Sequence, residues 1–300
     1  MKYLLVGLGN LGVKRKALLG NRCVATVDPY NPQADFRDLR ECDPKSYEAV
    51  ILSIPNQAKL ELLRLSLQMK KHVLVEKPLL FPHEAVVQEF EQLAQINQVI
   101  CYTSYNHRFE PYIMRIKSEL EKETIGKLYY GRLFYGNGTV GDVVGSWREE
   151  GLGVLEDLGS HLLDLCSHFL KTEDQEIIPW TLERHGSKTL DHSVLQTKDK
   201  KLILEISFLS WKNNFTIDLY GEKGSIHMKG LCKWGPSELV IYKRVLPSGI
   251  PHEQREVCTD PDTTWIRDLE HFEKKISEGV SSFKKDWWIS QVLQKIGGRA

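Results

Sequence analysis

The sequence lacks a surplus of either charge: 40 lysines and arginines stand against 40 aspartates and glutamates in 300 residues. Binding to a phosphate backbone draws on a basic excess, so the balance argues against a nucleic-acid partner and toward a small molecule. Paired cysteines are missing too. The six thiols, at 23, 42, 101, 166, 232 and 258, never fall in a CxxC spacing, which argues against a tetrahedral zinc site or a dithiol redox motif; no metal is expected. Cys23 and Cys101 stand in apolar runs, as small core residues do in a reducing compartment, so a cytoplasmic location is expected. No run approaches the ~18 apolar residues of a membrane span. The opening MKYLLVGLGNLG has no small-residue cleavage site and is interrupted by Asn10 and three glycines, so it reads as folded chain rather than a signal peptide. Internal repeats and low-complexity stretches are also lacking. What remains, 41% hydrophobic and 27% charged residues, is ordinary globular composition at a length that suggests two domains.

The first hundred residues alternate short apolar runs, YLLVGLG (3–9), CVATVD (23–28), AVILSIP (49–55), HVLVEK (72–77) and VICYTSY (99–105), with helix-period segments at 56–71 and 82–98. Continuous apolar strands between amphipathic helices predict a doubly wound α/β domain with a parallel sheet, over residues 1–104. Two prolines and weak periodicity in 29–43 predict an irregular crossover there. Gly7-x-Gly9-x-x-Gly12 lies where the first strand meets the first helix. In that context the first glycine allows a tight turn, the second admits a pyrophosphate to the backbone, and the third lets helix approach strand. Asn10 and Leu11 complete the turn, and the helix N-terminus offers free N–H groups to the anion. Asp28 closes the second strand, about 20 residues on, where a carboxylate accepts from ribose hydroxyls. Its charge opposes a 2′-phosphate, so NAD is expected in preference to NADP, with Arg37 and Arg40 as the groups able to counter that preference.

From residue 127 the period changes to two, in KLYYGRLFYG, IIPWTLERHG, DHSVLQTKD, KLILEISFLSW, NFTIDLYG, SIHMKG and ELVIYKR. Turns such as KDKK (198–201) and GEKG (221–224) between them predict an open, mostly antiparallel sheet in an α+β domain over 105–300, whose last helix can return toward the first domain. Between the two halves, a 100° wheel places Leu155, Leu158, Leu162, Leu165, Cys166 and Phe169 on one helix face and Asp157, His161, Asp164 and His168 on another. Residues alone allow that polar stripe to be a solvated face with an incidental ion pair. A metal site through His161, Asp164 and His168 is disfavoured, because three ligands on one straight helix spread along its axis. Lys77 ends a strand at the carboxyl edge where such sheets bind ligands, and Asn106 and Arg108 follow the fifth strand at the same edge. Trp147 and Arg148 precede the polar helix, with Arg148 a candidate to meet a polar or anionic substrate.

Val75-Glu76-Lys77-Pro78, following SIPN (53–56), resembles the glucose–fructose oxidoreductase / inositol dehydrogenase / rhizopine-catabolism (Gfo/Idh/MocA) family, and the resemblance continues through YNHRFEP (105–111), SWR (146–148), GLGVLEDLGSHLLDL (151–165) and GEKGSI (221–226). The resemblance implies a Rossmann domain followed by an open, largely antiparallel sheet, and an NAD(P)-dependent dehydrogenase or reductase of sugars, cyclitols or nucleotide sugars. It places the catalytic set on Lys77, Asp157 and His161. It assigns the cofactor to Ser53, Ile54, Pro55, Asn56, Glu76, Lys77 and Asn106 besides the glycine turn and Asp28. Substrate contacts are then Lys77, Arg108, Trp147, Arg148, Asp157 and His161, and copies of the chain are expected to associate through the second sheet as a homo-oligomer, away from membranes. Two departures stand out: Lys59 where the family often has histidine, and Gly151-Leu152-Gly153 for a triple glycine. In the implied reaction His161 takes a hydroxyl proton, Lys77 stabilises the alkoxide and Asp157 orients one of them. The same fold also serves glycoside hydrolases that hold NAD for transient oxidation, and a non-catalytic NAD or sugar sensor is the third reading.

Overall fold

The computed structural model describes residues 1–146, 149 and 151–298. Its first sheet has five parallel strands, β1 (Tyr3–Val6), β2 (Cys23–Val27), β3 (Ala49–Leu52), β4 (His72–Glu76) and β5 (Cys101–Ser104), in the order β2-β1-β3-β4-β5. Every residue of β1, β3 and β5 is buried; β1 and β3 carry apolar side chains without alternation, and β5 adds the buried hydroxyls of Thr103 and Ser104. Successive residues serve opposite layers: Val50 and Leu52 join one core cluster, Ala49 and Ile51 the other. Helices α1 (Asn10–Leu19), α2 (Asn56–Gln68) and α3 (Glu84–Asn97) supply crossovers. Between β2 and β3 the crossover is irregular: 3-10 turns at Leu39–Glu41 and Pro44–Ser46, capped by the carboxylates of Asp38 and Asp43.

The second sheet has eight strands, β6 (Leu128–Gly136), β7 (Ile177–Glu183), β8 (His192–Thr197), β9 (Leu202–Ser207), β10 (Asn214–Gly221), β11 (Gly224–Lys229), β12 (Ser237–Lys243) and β13 (His252–Cys258). They run in the order β13-β12-β11-β10-β6-β9-β8-β7, antiparallel throughout except for β6 beside β9. Buried and part-exposed residues alternate along β8 and along most of β10, the pattern of a sheet with one covered face. β13 was not foreseen. Its HEQREV has no apolar alternation, and it pairs with β12 alone at the sheet edge, where Arg255 meets Glu238 and Glu253. Helices α4 (Pro111–Glu121), α5 (Val140–Val143) and α6 (Ser160–Leu170) belong to this half, with a π-helical turn, Leu155–Gly159, leading into α6.

Two further helices follow, α7 (Thr264–Glu278) and α8 (Phe283–Gly297). The chain divides into one unit of Met1–Tyr105 with Trp265–Ser290, and another of Asn106–Thr264 with Gln291–Ala300. Reading the sequence assigned all of 105–300 to the second domain; the segment 265–290 instead joins the first unit. Polar anchors within apolar helix faces account for this. Asp268 accepts from Tyr102 Oη at 2.8 Å and from Ser104 Oγ at 2.7 Å, Asp286 accepts from Thr103 Oγ1 at 2.7 Å, and the Phe283 ring lies 6.1 Å from Phe81. Among the described residues no helix is long and apolar enough to cross a membrane.

Candidate functional site

In the first unit, β1 ends in the glycine turn. Gly7 has φ +94°, and a Cβ there would meet Ser53 O at 2.3 Å; one on Gly12 would meet Gly7 O at 1.9 Å. Both glycines are required by the fold itself. A Cβ on Gly9 would meet nothing within 4 Å, so its space is open, at the N-cap of α1 where the first-turn N–H groups point outward. Ser53 Oγ, buried at the foot of the turn, has no hydrogen-bond partner among the described residues. These features fit a dinucleotide: an open approach for a pyrophosphate at Gly9, and a polar atom left to be satisfied. Gly9→Ala is therefore expected to leave the melting temperature within about 2 °C of wild type while weakening NADH binding roughly tenfold, whereas Gly12→Ala abolishes a stable fold. Thermal melts with NADH fluorescence titration check both.

Asp28 holds the turn from the side. Its Oδ2 accepts from Leu8 N at 2.8 Å and its Oδ1 from Tyr30 N and Asn31 N at 2.9 Å. Partial burial raises the carboxyl pKa, but the three backbone donors and the nearby Arg37 outweigh it, and the net shift is downward. A lowered folded-state pKa contributes stability that is present above the ordinary carboxylate value of ~3.9 and is lost as pH falls through the lower folded value. Arg37 donates to Asp28 O and Asn31 O at 3.2 and 2.7 Å, and Arg40 pairs with Asp38 and Glu61.

Lys77, half-buried, follows the last residue of β4 and precedes Pro78 through a cis peptide. Glu76, expected to face the cofactor, is buried, and its Oε1 accepts from Arg15 Nε at 2.8 Å. Arg15 is fully buried and also reaches Asp268 Oδ2 at 3.0 Å and Ser104 Oγ at 2.6 Å, with Trp265 against its guanidinium at 4.3 Å. Burial alone would lower the Arg15 pKa; Glu76 and Asp268 reverse that, so the guanidinium stays charged. Nothing local in the basic run KRK marks Arg15 as a core residue.

In the second unit, Asp157 lies in the π-helical turn and His161 on the first turn of α6, where Ser160 N reaches back to Leu155 O. The stripe expected on an ideal wheel is not a solvated face: His161 and Asp164 are buried, as are the apolar residues around the helix from Leu162 to Cys166. Asp164 accepts both prongs of Arg108, Nε at 2.6 Å and Nη2 at 2.5 Å, which engages the guanidinium considered for substrate in a bidentate pair. The His161 ring stacks on His107 with centroids 3.9 Å apart and planes 10° from parallel. Asp157 is close enough to Tyr135 to join burial in pushing its phenol pKa up.

Around that stack runs a chain of side chains. Lys233 Nζ donates to Tyr135 Oη at 3.1 Å, whose hydroxyl is 3.2 Å from His107 Nε2, and His107 Nδ1 is 3.2 Å from Asn106 Oδ1. Asn106 Nδ2 donates to Thr264 Oγ1 at 2.9 Å, and Thr264 Oγ1 to Asp262 Oδ1 at 2.6 Å. A carboxylate can only accept, so the order from Asp262 back through Thr264 and Asn106 leaves Asn106 Oδ1 as an acceptor for His107 Nδ1–H. Asn106, expected at the cofactor, has both ends of its amide in this chain. Tyr135, Lys233 and His107 went unmarked in the sequence because they come from β6, the β11–β12 connection and the residues after β5. Trp147 and Arg148 lie outside the described residues. Also among the described residues, no group of His, Cys, Asp and Glu side chains is placed to hold a metal ion.

Two domain models match the chain: the NAD-binding Rossmann fold of the GFO/IDH/MocA oxidoreductase family at residues 1–105, and its C-terminal domain at 113–227. The oxidoreductase YdgJ of Escherichia coli is 24% identical over 194 residues, 63% of this chain and 55% of that protein. The NADP-dependent scyllo-inositol 2-dehydrogenase IolW of Bacillus subtilis is 27% identical over 156 residues, 50% of this chain and 42% of that protein. The chain thus spans about half the length, or less, of the curated relatives it matches. A levoglucosan dehydrogenase solved with NADH superposes with a TM-score of 0.79 at 16% identity, covering 100% of this chain and 97% of its own, a likeness of fold. With both of its domain models matched in chain order, the protein belongs to the Gfo/Idh/MocA family of NAD-binding oxidoreductases.

Proposed function

We propose that the protein is an NAD-dependent dehydrogenase or reductase acting on a secondary alcohol or ketone of a sugar, cyclitol or nucleotide sugar. The observation that carries this reading is the glycine turn: open only at Gly9, closed by the fold at Gly7 and Gly12, and braced by Asp28. NAD in that seat supplies the hydride acceptor. The buried imidazole of His161 takes the hydroxyl proton, imidazole being the side chain that accepts and releases a proton most readily near neutral pH. Lys77 donates to the oxygen as charge develops there, and Asp157 orients the groups that move the proton. The His107 ring stacked on His161 holds the imidazole plane in place. Supporting the sugar or cyclitol class are the scyllo-inositol and levoglucosan dehydrogenases among the relatives and structural neighbours.

The test is a coenzyme-absorbance screen of free hexoses, inositols, levoglucosan and UDP- or GDP-linked sugars with both NAD and NADP. Turnover of at least one polyol or sugar with NAD preferred is the expected result; bond cleavage without net NADH would move the reading to a hydrolase. Asp28→Asn is expected to shift the NADP/NAD preference about tenfold toward NADP, the factor given by ~1.4 kcal/mol of removed repulsion. An unchanged ratio in coenzyme titrations would remove Asp28 from the discrimination. The reading also expects self-association through the second sheet, where Tyr130, Tyr220, His227 and Tyr242 form a row of ring contacts across β6, β10, β11 and β12.

A further inference from the structure

Lys59, in the first turn of α2, is only 3% exposed, an unusual place for an ammonium. All three of its donors are engaged: Asn56 Oδ1 at 2.7 Å, Glu76 O at 2.6 Å and Pro78 O at 2.8 Å. The two carbonyls belong to the residues immediately before and after Lys77. Both stand at the end of β4, where the sheet ladder stops with Glu76 opposite Ser104 and the strand pairing no longer holds the backbone. The Glu76 carboxylate, meanwhile, is turned to Arg15. Only a lysine offers three donors from one atom; a neutral imidazole offers one, so the residue the family often has here could not make the same tripod.

We propose that Lys59 is a positioning residue for the reaction: its buried ammonium clamps the backbone on both sides of Lys77 to the start of α2 and so fixes where the Lys77 side chain is aimed. The inference rests on Lys77 having the role proposed above. It adds a link between the Ser53–Asn56 segment, expected at the cofactor, and the turn carrying the reactive lysine, because Asn56 shares the same ammonium. A clamp of this kind acts on rate rather than on coenzyme affinity: a misplacement of about 1 Å at a reacting group costs on the order of 10²-fold.

The test uses the full chain and the compound turned over fastest in the coenzyme screen. Lys59→Met should lower kcat by on the order of 10²-fold with KM and the NADH Kd within about threefold of wild type. Lys59→Gln, which keeps a donor on a shorter stem, should recover part of the loss and carries the test if the Met variant does not fold. In a Lys77→Met background the same change should cost less than about twofold, because a residue acting through Lys77 has nothing left to position. Crystals of Lys59→Met give a substrate-independent arm, in which the turn at 76–79 is expected to move by about 1 Å. A folded Lys59 variant with wild-type kcat, a full loss in both backgrounds, an unmoved turn, or failure of both variants to fold would each overturn the proposal. Failure of the functional reading looks different: Lys77→Met itself would then turn over at the wild-type rate, whatever Lys59 does.

Discussion

His161→Asn is expected to lose about 10²- to 10⁴-fold in kcat while NADH binding stays within about threefold of wild type. Asparagine keeps a polar side chain of similar reach but cannot accept and release a proton near neutrality. The site explains why the loss should appear in rate alone. His161 lies in the second unit, on α6, with its ring stacked on His107 at 3.9 Å, whereas Gly7, Gly9, Gly12 and Asp28, the nucleotide seat proposed above, belong to the first. Lys77→Met belongs to the same prediction and should also spare coenzyme binding, because the proposed seat lies at the ends of β1, β2 and β3 and the start of α1. Steady-state kinetics beside NADH fluorescence titration separates the two quantities. Wild-type turnover in His161→Asn would end its assignment as the proton acceptor.

A large loss of stability that can be traced to charge is expected at Arg15. Arg15→Met should destabilise the first unit by roughly 3–5 kcal/mol, the range for removing one partner of a buried ion pair and leaving its counter-charges behind. Here the stranded charges are Glu76 and Asp268, 5% and 0% exposed, held by Arg15 at 2.8 and 3.0 Å. The companion variant makes the cause testable. Arg15→Met combined with Glu76→Gln and Asp268→Asn removes both stranded charges, and it should recover most of the loss. Urea unfolding of the full chain followed by tryptophan fluorescence is a suitable measurement, since Trp265 lies against the Arg15 guanidinium. If the triple variant is no more stable than the single one, the loss is of packing rather than of charge compensation.

Features written in short stretches of chain were legible before any coordinates. Gly7, Gly9 and Gly12 are local: a Cβ would collide with backbone at Gly7 and Gly12 and would meet nothing within 4 Å at Gly9. The apolar runs of the first hundred residues contain the five parallel strands, and the period-two segments contain β6 through β12. What escaped was set by partners far away in sequence. Arg15 reads as one of three adjacent basic residues, and only Glu76 and Asp268, brought from β4 and α7, make it a core residue. The wheel over 155–169 assumed an unbroken α-helix, whereas the π turn at Leu155–Gly159 changes the register ahead of His161 and the tertiary surroundings bury the supposed outer face. Lys59 stood out only as a departure from a family habit; its meaning lies in two carbonyls that no sequence pattern displays. Asp268 and Asp286, which no local pattern singles out, tie α7 and α8 to β5.

The Arg15 network also bears on how the first unit can move. Its guanidinium joins the helix that begins at the open glycine turn to the last residue before Lys77, through a bond with no exposed atom on the arginine side. Buried links of this kind break only when the surrounding structure opens as a block. The helix that starts at the glycine turn and the end of β4 are thus fastened to each other, like two fittings bolted to a single plate. An opening large enough to break the Arg15–Glu76 link loosens both at once, so thermal wear on that link is shared by the two.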